Sequence, residues 1–116
     1  MPSFEIIYEE RDDVLEVSFG FFEEDFPRSI SLNEAIVLHT DSGLTAVLGI
    51  TFYSFARLLG VGETQMDRLT SLSEIEARRV LMLLSQPPAD SFLEVVDAEN
   101  LLARVEAPNL QDLLRA

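Results

Sequence analysis

The chain of 116 residues has no cysteine, no lysine and no tryptophan, and it has one histidine. Without cysteine there is no disulfide, no thiolate nucleophile and no cysteine-ligated zinc. No apolar run approaches the roughly 20 residues that a membrane-spanning helix requires. The first residues lack the basic and apolar regions of a secretory signal, so a cytoplasmic protein is the default expectation.

Without lysine, arginines are the only basic residues, and the net charge is −13. Nucleic acids and anionic membranes bind surfaces that carry lysine and arginine, so we expect neither as a partner. The only candidate basic patch comprises Arg68, Arg78 and Arg79, and acids surround these arginines in the sequence. A basic protein would be attracted to such a surface. The alternative interpretation is that the acids only keep the protein soluble.

What the sequence does contain is an alternation of apolar and polar residues through positions 4–52, interrupted by acidic or glycine-containing turns. This pattern predicts antiparallel hairpins. The predicted strands are residues 4–9, 15–19, 28–32, 35–40 and 44–52. In the first strand, Phe4, Ile6 and Tyr8 are expected to form a buried face. In the last, Gly49 predicts a bulge or a close backbone approach.

The second half of the chain has a different pattern. The main helix is predicted at residues 73–85, where Ser73 and Glu76 match a capping box. Residues 54–59 predict a helical turn that Gly60 ends, followed by a flexible connector. Further elements are a hairpin of residues 92–96 and 101–105, with a helix at 98–104 as its alternative, and a terminal helix from Pro108.

Together these elements predict one α+β domain over residues 1–116. A small antiparallel sheet from residues 4–52 would pack against one main α-helix, on which Ile75, Val80, Leu83 and Leu84 share a face. The shorter C-terminal elements would extend that sheet or exchange with a neighbouring copy. The apolar content of 47% is sufficient for one core.

Several strings in the first half match a known pattern. These are the acidic turn and strand of residues 8–17, the Ile-Val-Leu strand of 36–38, the turn of 41–43 and the strand of 47–51. Over residues 4–52 the chain resembles domain-of-unknown-function family 2283, a family of short uncharacterised bacterial proteins. The resemblance implies a small sheet and no chemistry. Its association with suspected toxin–antitoxin pairs implies a role as a partner protein.

Candidate catalytic and metal-binding residues are few. His39 and Asp41 share a strand face, but residues two apart on a strand lie about 6–7 Å apart, so His39 is interpreted as a surface histidine. The acidic turn at residues 9–13 could bind a hard cation, but it lacks the spacing of a calcium loop, so a solvated turn is preferred. No catalytic, metal or cofactor-binding residue is predicted, and the protein is not expected to be an enzyme.

The remaining candidate is an aromatic interface. Residues 20–27 break the strand pattern and mix aromatics with acids, and Phe21, Phe22 and Phe26 could form a partly exposed patch. The alternative is that these aromatics pack in the core. We therefore expect a small acidic protein-interaction module, regulatory or antitoxin-like, that binds a protein partner or forms a homodimer. The alternative is a small ligand-binding or cation-binding protein, or an enzyme, that uses clustered carboxylates.

Overall fold

Two antiparallel sheets form the fold in a computed structural model, which describes residues 4–19, 27–87 and 89–106, with Phe4 described by its backbone alone. The strands of the larger sheet are β1 (Phe4–Glu9), β2 (Val14–Phe19), β3 (Arg28–Ser31), β4 (Ile36–Thr40) and β5 (Val47–Tyr53). Their order is β1-β2-β5-β4-β3. The strands of the smaller sheet are β6 (Glu63–Gln65), β7 (Leu93–Asp97) and β8 (Leu102–Val105), in the order β6-β8-β7.

Two α-helices and two short 3₁₀ helices complete the described part of the chain. They are α1 (Phe55–Val61), α2 (Glu74–Leu84) and the 3₁₀ helices Asp67–Ser71 and Ala89–Ser91. The predicted α+β class is confirmed. The C-terminal hairpin does not extend the first sheet, as one prediction had it, because β8 pairs with β6 and β7 instead.

One continuous apolar core lies between the sheets and α2. Leu15 and Val17 of β2 point into it while Glu16 and Ser18 point outward, as the alternating sequence requires. The rings of Phe19 and Phe92 lie 5.7 Å apart between centroids and join the two sheets. Buried aromatic side chains of this size are among the largest contributors to core stability.

Ser73 is the N-cap of α2 as predicted, because its hydroxyl accepts a hydrogen bond from the Glu76 backbone N–H at 3.2 Å. Val80, Leu83 and Leu84 are buried, but Ile75 is 73% exposed. At 100° per residue Ile75 lies about 140° around the helix from Val80, outside the buried stripe. Its predicted place on the buried face was therefore wrong.

The buried face predicted for the first strand is also wrong. Ile6 and Tyr8 are 36% and 45% exposed, although their partners on β2 are buried. Ile7, on the opposite face, is 50% exposed. The physical reason is position, because β1 is an outermost strand and the packing that covers β2 does not reach it. The rings of Tyr8 and Phe55 meet in a T-shaped arrangement, with 6.2 Å between centroids.

The strand predicted at residues 44–52 begins three residues later, at Val47. The Asp41 carboxylate accepts hydrogen bonds from the backbone N–H groups of Thr45 and Ala46, so these residues form a turn. The pairing of β4 with β5 shifts its register between His39 and Thr40. The predicted close approach at Gly49 is confirmed, since a Cβ there would lie 2.4 Å from the Val17 carbonyl oxygen.

The connector differs from its prediction, whereas the C-terminal hairpin agrees with one of its two predictions. Gly60 does not end α1, which continues to Val61, and the predicted flexible connector includes strand β6. The predicted hairpin is confirmed and its helical alternative is wrong. Asp97 accepts hydrogen bonds from the N–H groups of Glu99 and Asn100, which turns the chain between β7 and β8. The terminal helix predicted from Pro108 lies outside the described residues.

Candidate functional site

The three residues predicted to form an interface, Phe21, Phe22 and Phe26, lie outside the described residues. Two other aromatics of the same half, Phe19 and Phe52, are buried in the core. The features described below therefore come from other parts of the chain.

The acidic turn at residues 9–13 has a structural function that the sequence did not indicate. Asp13 adopts a left-handed backbone conformation with φ 56°, and its carboxylate accepts hydrogen bonds from the Ala56 N–H at 3.0 Å and the Tyr8 hydroxyl at 2.7 Å. The hydrogen bond from Tyr8, followed by the one from Ala56, lowers the pKa of Asp13. The Tyr8–Asp13 hydrogen bond also raises the pKa of Tyr8. Asp13 thus caps the start of α1 from the β1–β2 turn.

His39 is half-buried and joins three strands. Its Nε2 lies 2.8 Å from the Thr51 hydroxyl on β5, and its Nδ1 lies 3.1 Å from the Ser29 hydroxyl on β3. Burial lowers the pKa of His39, and the charge of Glu16 opposes this effect. Both ring nitrogens contact hydroxyls, and the carboxylate of Asp41 bonds its own turn. This arrangement clamps the sheet and does not form the dyad of a general base.

Within the described ranges, no three acids or histidines come together in an arrangement that could hold a metal ion. One face of the β1–β2 hairpin carries Glu5, Glu9 and Glu16, all exposed. Glu5 and Glu9 flank Ile7 on β1, and Glu16 lies opposite Ile7 on β2. An exposed isoleucine surrounded by three carboxylates results.

Strand β1 lies at the edge of the larger sheet as far as the described strands extend. β1 pairs with β2 on one side, and no other described strand pairs with it. Its six residues keep a regular register with β2. Proline, lysine and bulges commonly protect an edge strand from pairing, and β1 contains none of them. We call this surface, made of β1 and its outer backbone edge, the β1 edge.

A second feature is a cleft of about 630 Å³ where the two sheets meet. Its lining residues come from the turn after β3, the start of α1 and the segment around β6: Asn33, Glu34, Ala35, Tyr53, Ser54, Arg57, Leu58, Val61, Thr64, Gln65, Asp67 and Arg68. The lining is mostly polar. Six of these residues have charged or amide side chains: Asn33, Glu34, Arg57, Gln65, Asp67 and Arg68.

Asn33 holds the two walls of the cleft together and is only 7% exposed. Its Nδ2 donates to the Gln65 carbonyl at 3.0 Å and to the Thr64 hydroxyl at 3.2 Å, both on β6. Its Oδ1 accepts from the N–H groups of Ala35 and Ile36 at 2.8 and 2.9 Å. The sequence indicated only a tight turn at Asn33. The link to β6 depends on a strand 31 residues further along, which no local pattern encodes.

Comparisons with protein families, curated proteins and solved structures returned no match for this chain. The resemblance of residues 4–52 to domain-of-unknown-function family 2283 stays a prediction. No helix among the described residues is long and apolar enough to cross a bilayer, and the longest, α2, has 11 residues.

Proposed function

We propose that the protein is an interaction module whose β1 edge receives an extended, basic segment of a protein partner as an additional strand. The observation that carries this proposal is the coincidence of an outermost strand, exposed apolar side chains on both faces and a surrounding group of carboxylates. Strand addition of this kind takes its affinity from backbone hydrogen bonds and its specificity from alternating side chains.

The two faces of β1 define what the incoming strand must carry. Ile6 and Tyr8 lie on the face shared with the core, so apolar side chains of the partner would extend that apolar surface. On the other face, Glu5 and Glu9 flank Ile7, so basic side chains at alternate positions would meet carboxylates. An extended segment that alternates apolar with basic residues satisfies both faces.

The electrostatics of the hairpin favour a cation at this position. A hydrogen bond with Asp12, and then the negative charge of Asp12, raise the pKa of Glu9, and Glu16 adds to the effect. Carboxylates crowded in this way repel one another, and an arginine or lysine between them would relieve the repulsion. Complementary charge would also accelerate the encounter of this acidic chain with its partner.

The test is a titration of the ¹⁵N-labelled protein, followed by amide chemical shifts, with an eight-residue peptide of alternating lysine and valine. We expect saturable shifts in β1 that weaken as salt is added. The double substitution E5Q/E9Q should weaken binding by about tenfold, because two charge-assisted contacts are lost. Glu99 lies exposed in the β7–β8 turn, so E99Q is the matched control and should bind as the unchanged protein does.

A peptide of alternating glutamate and valine has the same apolar residues and the opposite charge. Equal shifts with the two peptides would contradict the charge argument. Shifts that avoid β1 with either peptide would contradict the proposed surface. If the variant F21S/F22S loses the interaction while E5Q/E9Q keeps it, the aromatic interface predicted from the sequence is the better assignment.

Self-association through the same edge is a second candidate, and the strand register favours it in one respect. Antiparallel pairing of two copies centred on Ile6 places Glu5 opposite Ile7, so no two glutamates oppose each other. The net charge of −13 on each copy opposes the pairing at low ionic strength. Light scattering after size-exclusion chromatography distinguishes the candidates, since a homodimer should strengthen with salt and a complex with a basic strand should weaken.

A further inference from the structure

We infer that the cleft between the two sheets is a binding site for a small organic anion, whose phosphate or carboxylate group is held by Arg57 and Arg68. This site is separate from the strand-addition function proposed above and does not depend on it. The cleft volume of about 630 Å³ falls within the range of roughly 300–1,000 Å³ that is usual for small-molecule sites.

The arginines of this chain differ in the partners of their side chains. Two arginines of this acidic chain form close ion pairs with glutamates, Arg28 with Glu76 at 3.1 Å and Arg78 with Glu74 at 2.7 Å. Arg104 lies 3.9 Å from two further glutamates. The other described arginines, Arg11, Arg57, Arg68 and Arg79, form no ion pair with a described residue, and of these four Arg57 and Arg68 line the cleft.

The side chains of Arg57 and Arg68 form no hydrogen bond or ion pair with any of the described residues. This holds although Glu34 and Asp67 line the same cleft. Each guanidinium has five N–H donors in a planar fork that matches the oxygens of a carboxylate or phosphate. Two such forks with unused donors in one cleft favour an anionic ligand over a neutral one.

Hydrogen bonds fix the backbone around the two arginines before a ligand binds. The Arg68 N–H donates to the Leu32 carbonyl at 3.1 Å, which ties the 3₁₀ helix Asp67–Ser71 to the β3–β4 turn. Asn33 ties the same turn to β6, as described above. Ordering a site before the ligand arrives reduces the entropy that binding must overcome.

Ser54, which also lines the cleft, adds an unusual conformation. It adopts left-handed dihedral angles, φ 57° and ψ 47°, at the junction between β5 and α1. Non-glycine residues in this region carry backbone strain, and such residues concentrate at functional sites. The Ser54 carbonyl accepts from the Leu58 N–H at 2.9 Å, so the strained residue sets the start of the helix that carries Arg57.

The acids of the cleft define the rest of the ligand. Glu34 and Asp67 would repel a bare inorganic anion, but they can accept hydrogen bonds from hydroxyl groups of an organic molecule. The ligand class that fits both pairs of residues has an anionic group and several hydroxyl donors. A sugar phosphate and a sugar acid share this chemistry and differ only in the anionic group.

The experiment is a chemical-shift titration of the ¹⁵N-labelled protein with glucose 6-phosphate, with gluconate and with neutral glucose. We expect saturable shifts of the amides around the cleft with at least one anion and none with glucose. R57Q and R68Q should each raise the Kd by about tenfold or more, since each removes a charge-assisted contact. Arg11 is exposed in the β1–β2 turn, so R11Q removes the same charge elsewhere and should leave the Kd unchanged.

Three results would overturn this assignment. The first is the absence of saturable shifts with both anions at about 20 mM, which would mean that any binding is too weak to be specific. The second is an equal effect of R11Q, which would indicate general attraction to positive charge. The third is unchanged binding in R57Q and R68Q. Far-UV circular dichroism of each variant establishes that the fold is intact, which is expected because both arginines are exposed.

Discussion

Strands β1 and β7 have similar sequences and the same position in their sheets, yet they differ in burial. Each is an outermost strand, and each is preceded by or begins with phenylalanine and mixes β-branched residues with acids. On β1 the side chains of Ile6, Ile7 and Tyr8 are all exposed by a third or more. At the start of β7, Phe92 and Leu93 are completely buried.

The difference arises from what packs against each strand. β7 contacts α2 and the 3₁₀ helix Ala89–Ser91, and Phe92 meets Phe19 of the other sheet. The described part of the chain provides no comparable cover for β1. An apolar-polar alternation therefore specifies a strand and its two faces, but burial is decided by the elements that the rest of the chain brings to it.

The largest expected effect on stability is at β7, the buried strand of this comparison. Phe92→Ala should lower the free energy of unfolding by about 3–5 kcal/mol, because it removes a ring from the junction of the two sheets and leaves a cavity. Urea denaturation followed by far-UV circular dichroism measures the change. A loss below about 1 kcal/mol would mean that Phe92 does not join the two sheets in one shared core.

An intermediate effect concerns the tie that holds the β1–β2 hairpin to α1. The pKa of Asp13 is lowered in the folded protein, so its contribution to stability is present above the unfolded pKa, near 3.9, and is lost as the pH falls through the folded value. We expect D13N, which keeps a side chain that tolerates the left-handed conformation, to lose stability at pH 7 and to show a weaker dependence on acid.

The control for D13N is E10Q, which removes one charge from the same turn. Glu10 is exposed and its carboxylate makes no hydrogen bond with a described residue, so E10Q should keep most of the acid dependence of the unchanged protein. Urea midpoints between pH 3 and pH 7 provide the measurement. Identical acid profiles for D13N and the unchanged protein would remove Asp13 from its assigned capping function.

Local sequence signals predicted the parts of the fold that depend on neighbouring residues. The N-cap at Ser73 and the close approach at Gly49 are examples, since both express constraints of a few residues of backbone. The start of β5 was predicted too early because the Asp41 side chain, and not the alternation, determines where that strand can begin.

The candidate sites could not be predicted from local sequence signals. Asp13 caps a helix 43 residues away, and Asn33 binds a strand more than 30 residues away, so neither contact has a spacing that a sequence pattern could contain. Arg57 and Arg68 are likewise brought to one cleft by α1 and by the 3₁₀ helix Asp67–Ser71. From the sequence, Arg68 was grouped with Arg78 and Arg79 in a candidate basic patch, and no local pattern connects it with Arg57.

The smallest expected effect is on the exposed side of the comparison. Ile7→Thr keeps a β-branched side chain on β1, so it should change the free energy of unfolding by no more than about 0.5 kcal/mol. Val17→Thr on β2 is the matched control and should cost about 1–3 kcal/mol, because Val17 is buried and a hydroxyl there loses its hydration. If Ile7→Thr instead costs more than about 1 kcal/mol, and the cost grows with protein concentration, Ile7 is covered by a second copy in solution. The contrast between β1 and β7 would then belong to the single chain alone, and self-association would displace the basic strand as the better account of the β1 edge.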